Sequence, residues 1–501
     1  MEIKVVAGDI SKINTPAIIV GLYEGSDELD GITKNLDEVM DGAITQLRNE
    51  QEIKGVSGEF TLIHTLGRIP AQRILVSGLG RKNNFDLNTV RAIMGNAGRY
   101  LRTRGISSFC TVPHGIEAGI LKPEDSGQAI AEGVILGTYQ FHDYRSNQES
   151  TKKTDEITVI SPESNLLDKL DIGIRKGTII AGGVALSRDM SNTPSNDLTP
   201  TKMAEIATTV AKEGNLGITV LNRSDMEKLG MGALVGVARG SHQPPKLIAL
   251  EYKGDPDRPE HVLGLIGKGV TFDTGGISLK PALNMENMKG DMTGGSSVIG
   301  AMKAISALKP KVNVTAVVPA TENMPGGDAQ RPGDIVRAMN NKTIEVINTD
   351  AEGRLILSDA MVYAVRKLGV SHMVDVATLT GAIIVSLGTV RIGVFGNNQQ
   401  WIDQVVKTGN YGGERMWPFP MDDDYGDQLK STFADMMNVG GREAGSITAA
   451  KFLSEFTEDV PWVHLDIAGS YRMSADKGWH VKGSSGGPVR TLVNLALADS
   501  S

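Results

Sequence analysis

The stretch HVLGLIGKGVTFDTGGISLK, residues His261–Lys280, decides the class of fold. It begins with a short, mostly apolar run, His261–Ile266, which is typical of a buried strand. A glycine-rich loop that carries Lys268, Asp273 and Lys280 follows at once. Open parallel α/β sheets place their functional loops beyond the carboxyl ends of strands. This order of strand and loop therefore predicts such a sheet, with a site at its edge.

Other segments of the C-terminal half favour the same fold. Short apolar runs that resemble buried strands alternate with longer runs of helical periodicity. Such alternation predicts an α/β domain with a mostly parallel central sheet flanked by helices. The further predicted strands are Val312–Val318, Thr343–Ile347 and His372–Val376, and the predicted helices are Ser296–Leu308 and Arg354–Leu368.

The N-terminal part also alternates strands and helices, which predicts a second α/β layer, and it carries no catalytic motif. The predicted strands are short, rich in Val and Ile, and bounded by Gly, Asp or Pro. They are Ile3–Val6, Ala17–Leu22, Phe60–His64, Arg73–Ser77, Ser108–Val112 and Ile157–Ile160, and the predicted helices are Leu36–Arg48, Thr89–Arg104 and Glu124–Gly137.

Two features between the halves predict the domain organisation. The polar stretch Arg145–Glu156 is a predicted linker. A long helix is predicted from Leu167 to about Met190, and Gly182-Gly183 inside it would allow a kink. We therefore expect an N-terminal domain at residues 1–160, a connecting helix at 161–195 and a second domain, which carries the site, at 196–501.

Composition narrows the class of protein. The 501 residues are 40% hydrophobic and 22% charged, which is ordinary globular usage. The net charge of −8 argues against a dedicated nucleic-acid binder, although it leaves room for a local basic patch. The single cysteine, Cys110, fits a reducing compartment. We find neither a signal-peptide pattern nor a membrane-spanning apolar run, so we expect a cytoplasmic protein without a membrane partner.

Charged residues in two glycine-rich segments are the candidates for catalysis or ligand binding. Crowded carboxylates repel one another unless cations or protons intervene, and oxygen-rich ligand sets favour Mg²⁺, Mn²⁺ or Zn²⁺. A pair of such ions, about 3.5–4 Å apart, activates water for hydrolysis. Each acid alone is more typical of a helix cap or a surface ion pair, but together they favour a metal or a phosphate site. The residues are Lys268, Asp273, Lys280, Asp291, Asp350, Glu352 and Arg354.

Competing motifs fit the sequence less well. The P-loop pattern G-x-x-x-x-G-K-[ST] fails, because Val262 stands at its first position and Gly269 follows the lysine. The chain has no G-x-S-x-G and no H-E-x-x-H. His464 lies in an apolar run that is more typical of a structural histidine. The residues alone therefore leave a two-metal site and a phosphate site open.

The same segments resemble the leucyl aminopeptidase, or cytosol aminopeptidase, family of metallopeptidases. The sequence NTDAEGRL at Asn348–Leu355 matches the signature of that family without a substitution. The resemblance spans residues 185–490. It implies a macro-like N-terminal α/β domain, a catalytic C-terminal α/β domain, and a homohexamer, a dimer of trimers, whose sites face an interior cavity. The other matching segments are Lys268–Lys280, Met288–Met292, Asn192–Pro200, Glu322–Pro325, Arg331–Asp334 and His464–Gly469.

The resemblance implies a role for each charged residue. Lys280 would polarise the scissile carbonyl and stabilise the oxyanion, and Arg354 would hold a bicarbonate that serves as general base. A lysine ligates metal only as the neutral amine, so Lys268 must lose its proton, whereas Lys280 should stay charged. Two divalent ions are implied, Mn²⁺ or Zn²⁺, with Mg²⁺ or Co²⁺ as alternatives. Their ligands would be Lys268, Asp273, Asp291, Asp350 and Glu352.

The implied reaction is release of the N-terminal amino acid, preferably Leu or another apolar residue, from peptide substrates. Tyr471 is expected to narrow or cap the pocket for the first side chain. A nucleic-acid-binding or regulatory protein on the same scaffold is one alternative, and an inactive homologue is another. The second is disfavoured because the match has lost no ligand or catalytic position. The pocket would be lined by Met288, Thr378, Gly381 and Ala468.

Overall fold

The described chain forms two compact units, and each is organised around one large sheet. The computed structural model describes residues 1–26, 29, 31–146 and 153–500. The first unit comprises Met1–Ala181 with Ser474–Lys482, and the second comprises Gly182–Met473 with Gly483–Ser501. Residues 147–152 of the predicted linker lie outside the described residues. The domain limits expected from the sequence stay a prediction.

The first unit is an α/β layer with the predicted alternation of elements. Its strands are β1 (Glu2–Ala7), β2 (Ile18–Tyr23), β3 (Phe60–His64), β4 (Arg73–Gly80), β5 (Ser108–Thr111) and β6 (Glu156–Ser161). They form one sheet in the order β1-β6-β5-β2-β4-β3, parallel except for the antiparallel pair β3–β4. The helices are α1 (Gly31–Val39), α2 (Ala43–Asn49), α3 (Leu87–Thr103) and α4 (Pro123–Gly137), and α5 (Leu167–Asn192) continues into the second unit.

The single helix predicted at Leu36–Arg48 is wrong, because two helices occupy this region. Asp41 and Gly42 have φ angles of 57° and 78°, and this left-handed turn ends α1 before α2 begins. The Asp37 carboxylate then caps α2 by accepting hydrogen bonds from the backbone N–H groups of Ile44 and Thr45, at 2.7 and 3.1 Å. The turn and the capping of α2 by Asp37 therefore divide a segment whose periodicity predicts a single helix.

The second unit holds the larger set of elements. Its helices are α6 (Pro200–Gly214), α7 (Arg223–Lys228), α8 (Gly232–Ala238), α9 (Thr293–Leu308), α10 (Glu352–Leu368), α11 (Gly381–Leu387), α12 (Gln399–Gly412), α13 (Gly445–Ser454) and α14 (Val489–Asp499). Its strands are β7 (Gly217–Leu221), β8 (Lys246–Lys253), β9 (Val262–Gly267), β10 (Gly269–Asp273), β11 (Asn313–Asn323), β12 (Ile335–Arg337), β13 (Thr343–Glu345), β14 (His372–Ala377), β15 (Ile392–Gly396), β16 (Met416–Pro418), β17 (Met436–Met437), β18 (Trp462–Asp466), β19 (Arg472–Met473) and β20 (Gly483–Ser484).

The central sheet of this unit is mostly parallel, as predicted. Its order is β16-β15-β18-β14-β9-β11-β8-β7, and β10 pairs with β11 outside this path. The middle strands β18, β14, β9 and β11 all run parallel, whereas β15, β8 and β7 pair antiparallel with their inner neighbours. Every residue of β14 and β18 is buried, as expected for strands covered on both faces. The carboxyl ends of the middle strands therefore meet at one edge.

The segment Thr343–Ile347, predicted as a buried strand of this sheet, is not part of it. Only Thr343–Glu345 is extended, and it pairs with β12 and β17 in a separate three-stranded sheet. Asn341 has a φ angle of 72° and turns the chain back, so that β13 pairs antiparallel with β12. The tight turn at Asn341 therefore pairs this apolar segment with the preceding strand, and the segment does not join the central sheet.

Helix α5 is continuous through Gly182-Gly183, where the sequence would allow a kink. A Cβ atom on Gly183 would lie 2.4 Å from the carbonyl oxygen of Gly300 in α9, so glycine permits the two helices to approach closely. None of the helices in the described part of the chain is long and apolar enough to cross a bilayer.

Helix α10, which begins at the predicted site, is anchored by the buried carboxylate of Asp359. Its Oδ2 accepts a hydrogen bond from the backbone N–H of Leu234 in α8 at 2.9 Å. Its Oδ1 accepts one from the N–H of Met339 at 2.8 Å. One carboxylate thus accepts hydrogen bonds from backbone N–H groups in the first turn of α8 and in the loop before β13.

We expect Asp359→Ala to destabilise the chain by about 2–4 kcal/mol, because two backbone donors would be left without acceptors. A fall in the melting temperature of the full chain measures this effect. Asp328→Ala, which removes an exposed carboxylate, is the matched control. Equal melting temperatures for the two variants would contradict the anchoring role.

Candidate metal centre

The predicted charged residues meet at the carboxyl edge of the central sheet. Lys268 lies between β9 and β10, and Asp273 ends β10. Asp291 lies two residues before α9, while Asp350 and Glu352 lie at the start of α10. Because the middle strands are parallel, segments that are far apart in the sequence deliver their side chains to the same place.

Lys268 lies deepest in the cluster, with 3% of its surface exposed. Its Nζ is 2.8 Å from Oδ2 of Asp291 and 2.8 Å from Oε1 of Glu352. It also donates a hydrogen bond to the carbonyl oxygen of Thr378 at 2.9 Å. A Cβ atom on Gly353 would lie 2.7 Å from Cε of Lys268, so the glycine of the signature makes room for this side chain.

Lys280 approaches the same cluster from its more exposed side. Its Nζ is 2.8 Å from Oδ2 of Asp273 and 2.5 Å from Oδ1 of Asp350. Its side chain keeps 21% of its surface exposed. The two lysines therefore differ in position, since Lys268 is sealed among the carboxylates and Lys280 lies at the rim.

The carboxylates of Asp273, Asp350 and Glu352 suit a metal ion. One oxygen from each lies within 4.8 Å of the others. With Asp291, four carboxylates face two lysine ammonium groups, which leaves a formal excess of two negative charges. Divalent cations are the usual means of neutralising such an excess.

The proton affinities of the acids reflect this crowding. Burial and the charges of Asp273 and Glu352 raise the pKa of Asp350 to about 6, although Lys280 opposes the shift. Burial also raises the pKa of Asp291, Lys268 and Lys280 oppose this rise, and the charges of Asp273 and Glu352 add to it. Burial and crowding therefore disfavour the ionised form of both acids, and a bound cation would offset this cost.

The pKa values of both lysines are raised as well, which for a lysine favours the charged form. Burial alone would lower the pKa of Lys268, but the charges of Asp291, Glu352 and Asp273 outweigh it and raise that pKa above its ordinary value. Burial would likewise lower the pKa of Lys280, and the same set of acids raises it. Both lysines are therefore charged in the chain alone. The neutral, ligating form of Lys268 stays a prediction that depends on cations.

Arg354 lies beside this cluster on α10 and is 6% exposed. Its Nη1 donates a hydrogen bond to the carbonyl oxygen of Asn438 at 2.7 Å. Its Nε is sealed from solvent and has no hydrogen-bond partner among the described residues. Burial lowers its pKa to about 10, which leaves the guanidinium charged at neutral pH. A buried cation with an unused donor suits a small anion.

The residues predicted to line the substrate pocket occupy different environments. The hydroxyl of Thr378 donates to Oδ1 of Asp291 at 2.7 Å, so this side chain holds a candidate metal ligand. Gly381 is exposed at the start of α11, and Ala468 is half-buried after β18. Met288 is half-buried in the short 3₁₀ helix Met285–Gly290.

Tyr471 packs against the segment that carries Met288 and Asp291. A Cβ atom on Gly290 would lie 2.5 Å from Cε2 of Tyr471, so the ring covers this glycine directly. The aromatic ring is thus near the predicted pocket, and its capping role stays a prediction.

Three further residues, outside the predicted set of site residues, position this site. Nδ2 of Asn323 donates to Oδ1 of Asp273 at 2.8 Å and to the carbonyl oxygen of Thr349 at 3.0 Å. Asn438 holds the loop before α10 through the N–H of Ile347 and the carbonyl of Asn348, at 2.8 and 2.7 Å.

The third residue is Asp466, which is buried at the end of β18. Its Oδ1 accepts from the N–H groups of Leu379 and Ala468, both at 3.1 Å, and its Oδ2 accepts from the hydroxyl of Thr380 at 2.7 Å. It therefore joins the two segments that carry the predicted pocket. Asn323 and Asp466 lie in segments that resemble the family, so the sequence could have indicated both residues. No such resemblance covers Asn438.

His464 has the structural role that its apolar surroundings predict. It is buried in β18, and its Nδ1 lies 2.6 Å from Oδ1 of Asp375 in β14. The indole N–H of Trp462 donates to the other oxygen of Asp375 at 2.7 Å. The histidine thus belongs to a polar contact between neighbouring strands.

Comparison with known proteins agrees with this geometry. The model of the cytosol aminopeptidase family, catalytic domain, matches residues 185–493, and the model of its N-terminal domain matches residues 19–148. A probable cytosol aminopeptidase of Alkaliphilus metalliredigens is 43% identical over 498 residues, which is 99% of each chain. One of Solibacter usitatus is 45% identical over 501 residues, again 99% of each chain.

Solved structures show the same fold. A mutant of tomato leucine aminopeptidase superposes with a TM-score of 0.89 at 32% identity, covering 99% of this chain and 96% of that one. The bottromycin maturation enzyme BotP in complex with Mn superposes with a TM-score of 0.85 at 30% identity, covering 97% and 100%. The resemblance noted in the sequence is confirmed, and the chain belongs to the cytosol aminopeptidase family.

Proposed function

We propose that this chain is a metal-dependent aminopeptidase that releases N-terminal amino acids, preferably Leu and other apolar residues, from peptides. The observation that carries the proposal is the buried cluster of four carboxylates, whose charge two lysines only half neutralise. A solved structure with the same fold is a complex with Mn, which supports divalent-metal binding by this chain. A phosphate site, the alternative left open above, fits poorly, because a phosphate would add negative charge to the cluster.

Five residues would hold two divalent ions, Mn²⁺ or Zn²⁺, with Mg²⁺ or Co²⁺ as alternatives. When bound, such a pair supplies an activated water molecule for attack on the peptide carbonyl. Asn323 and Thr378 orient two of the carboxylates through hydrogen bonds, so the cluster is held in place by its surroundings. The proposed ligands are Lys268, Asp273, Asp291, Asp350 and Glu352.

Lys280 and Arg354 would stabilise negative charge during the reaction. Lys280 lies at the exposed rim of the cluster and stays protonated, so it can meet the negative charge that develops on the carbonyl oxygen. Arg354 would hold bicarbonate as the general base, and its unused Nε–H supports an anion at this position.

The substrate would bind with its first side chain among Met288, Thr378, Gly381 and Ala468, and with its free α-amine at the metal centre. Thr378 would also hold a proposed metal ligand, because its hydroxyl donates to Asp291. The names of the relatives support leucine as a substrate and the cytosol as location. A homohexamer with interior sites belongs to the same proposal and rests on the family.

The defining test is hydrolysis of leucine anilide by the purified full chain with Mn²⁺ or Zn²⁺. We expect activity that a chelator abolishes and that added metal restores. An N-acetylated leucine anilide is the matched control substrate, and we expect it to resist cleavage because its blocked amine cannot bind metal. Equal rates for the two substrates, or activity in chelator, would sink the proposal.

We expect Glu352→Ala to lose both metal and activity, since this carboxylate faces Asp273 and Asp350 across the proposed metal positions. Metal content per chain, measured by elemental analysis after dialysis, reports the first effect. Glu213→Ala removes an exposed acid of α6 and should keep both properties. An inactive Glu352→Ala chain with full metal content would contradict the ligand role.

For Lys280→Ala we expect kcat to fall about 10²–10³-fold, because one donor to the oxyanion is removed. Metal content should match that of the unmodified chain, since Lys280 is not a proposed ligand. Lys228→Ala, on the surface of α7, is the control for loss of a lysine charge. Unchanged kcat in Lys280→Ala would show that this lysine has no part in the reaction.

A further inference from the structure

A second cluster of metal-ligating side chains lies at the opposite edge of the same sheet. His261 immediately precedes β9, His372 is the first residue of β14, and Asp499 is the last residue of α14. Strand β9 separates this edge from Lys268 by six residues, which corresponds to about 20 Å at ~3.3 Å per residue. The cluster is therefore independent of the proposed catalytic centre.

The three side chains converge closely. Nε2 of His261 lies 3.0 Å from Oδ1 of Asp499, and Nε2 of His372 lies 3.4 Å from Oδ2 of the same carboxylate. The two imidazole rings stack with centroids 4.7 Å apart. One ligand atom from each residue lies within 4.8 Å of the other two. Small movements of these side chains would bring all three around one ion.

Two polar atoms in this cluster are left without hydrogen bonds. Nε2 of His372 and Oδ2 of Asp499 are both sealed from solvent, and neither forms a hydrogen bond with any residue that the structure describes. His372 itself is only 8% exposed. Buried polar atoms in native proteins normally have a hydrogen-bond partner. A nitrogen and an oxygen that face each other without such partners indicate that a ligand belongs between them.

The outer contacts of His372 favour the tautomer that ligates metal. The hydroxyl of Ser371 accepts from the N–H of Val262 at 3.0 Å and lies 3.2 Å from its carbonyl oxygen. If this hydroxyl donates to that carbonyl, it accepts a proton from Nδ1 of His372, 3.0 Å away. Nε2 then directs a lone pair at the Asp499 carboxylate. Two acceptors that face one another repel, and a cation between them would turn this repulsion into attraction.

The competing cation nearby is already engaged. Nε of Arg258 donates to the carboxylate of Asp255 at 2.7 Å, and its Nη2 reaches only the backbone oxygen of Asp499, at 3.4 Å. Among the described side chains, only the two imidazoles approach the carboxylate of Asp499.

The cluster is also accessible. It opens into a surface cavity of about 430 Å³, which is large enough for an ion and its water ligands. Trp401 forms one wall, with its ring edge-on to His372 at 5.0 Å, and Asn398 and Gln404 contribute polar atoms.

We propose that His261, His372 and Asp499 bind a divalent ion of the Zn²⁺ class, with water in the fourth position. Two imidazoles and one carboxylate are a set that Zn²⁺ accepts in tetrahedral geometry, unlike the oxygen-rich centre at the other edge. The ion would fasten the end of α14 to the amino ends of β9 and β14. The site would thus stabilise the fold and take no part in peptide hydrolysis.

Zinc stoichiometry tests this site in the untagged full chain. The protein is stripped with chelator, dialysed against Zn²⁺, and analysed for bound metal. We expect His261→Ala and Asp499→Asn each to bind one Zn²⁺ fewer per chain than the unmodified protein, while still hydrolysing leucine anilide. His64→Ala, which removes an exposed histidine of the first unit, should bind as much as the unmodified protein. Equal zinc content in all four proteins would overturn the proposal.

Cu²⁺ provides a second, spectroscopic readout. The proposed catalytic ligands include no histidine, so imidazole nitrogen modulation in the pulsed EPR spectrum of bound Cu²⁺ reports the His261–His372 pair. We expect the modulation in the unmodified protein and in His64→Ala, and its loss in the double variant His261→Ala/His372→Ala. Modulation that persists in the double variant would place the ion elsewhere. If that variant fails to fold, His261→Ala decides, because the His261 side chain is 37% exposed.

Discussion

Ion pairing between two lysines and four carboxylates, at the edge of a buried sheet, is the interaction on which the rest of the site depends. Like charges at these distances repel strongly in a low-dielectric interior, and Lys268 and Lys280 offset only half of the acidic charge. Burial, together with the remaining charge, raises the pKa values of Asp291 and Asp350. The remaining charge also supplies the physical reason to place divalent ions here.

Parallel strands make this concentration of charge possible. Strands β9, β11, β14 and β18 end at one edge, so Lys268, Asn323, Thr378 and Asp466 meet although they are far apart in the sequence. Backbone and amide groups at that edge then orient the carboxylates. The amino edge of the same strands gathers imidazoles, which suit a softer ion. One sheet thus presents two chemically different ligand sets at its two edges.

Apolar periodicity and turn residues predicted most of the helices and strands. The predictions failed where a side-chain cap or a tight turn altered an element. The strands β3, β9 and β14 and the helices α9 and α10 lie close to their predicted positions, because apolar periodicity and flanking glycines mark them. Leu36–Arg48 divides into two helices because Asp37 caps the second. Thr343–Ile347 leaves the central sheet because a turn at Asn341 pairs it locally. Periodicity carries no information on such side-chain caps and turns.

The α/β class, the charged residues of the site and, through NTDAEGRL at Asn348–Leu355, the family could all be inferred from the amino-acid sequence. Which lysine is sealed among the acids depends on Gly353 leaving room for Lys268, and this is visible only in three dimensions. The tertiary structure also revealed Asn438, Asp466 and the cluster of His261, His372 and Asp499. Asn438 and the three residues of this cluster belong to no motif in the sequence, because strand order and register bring them together and the linear pattern encodes neither.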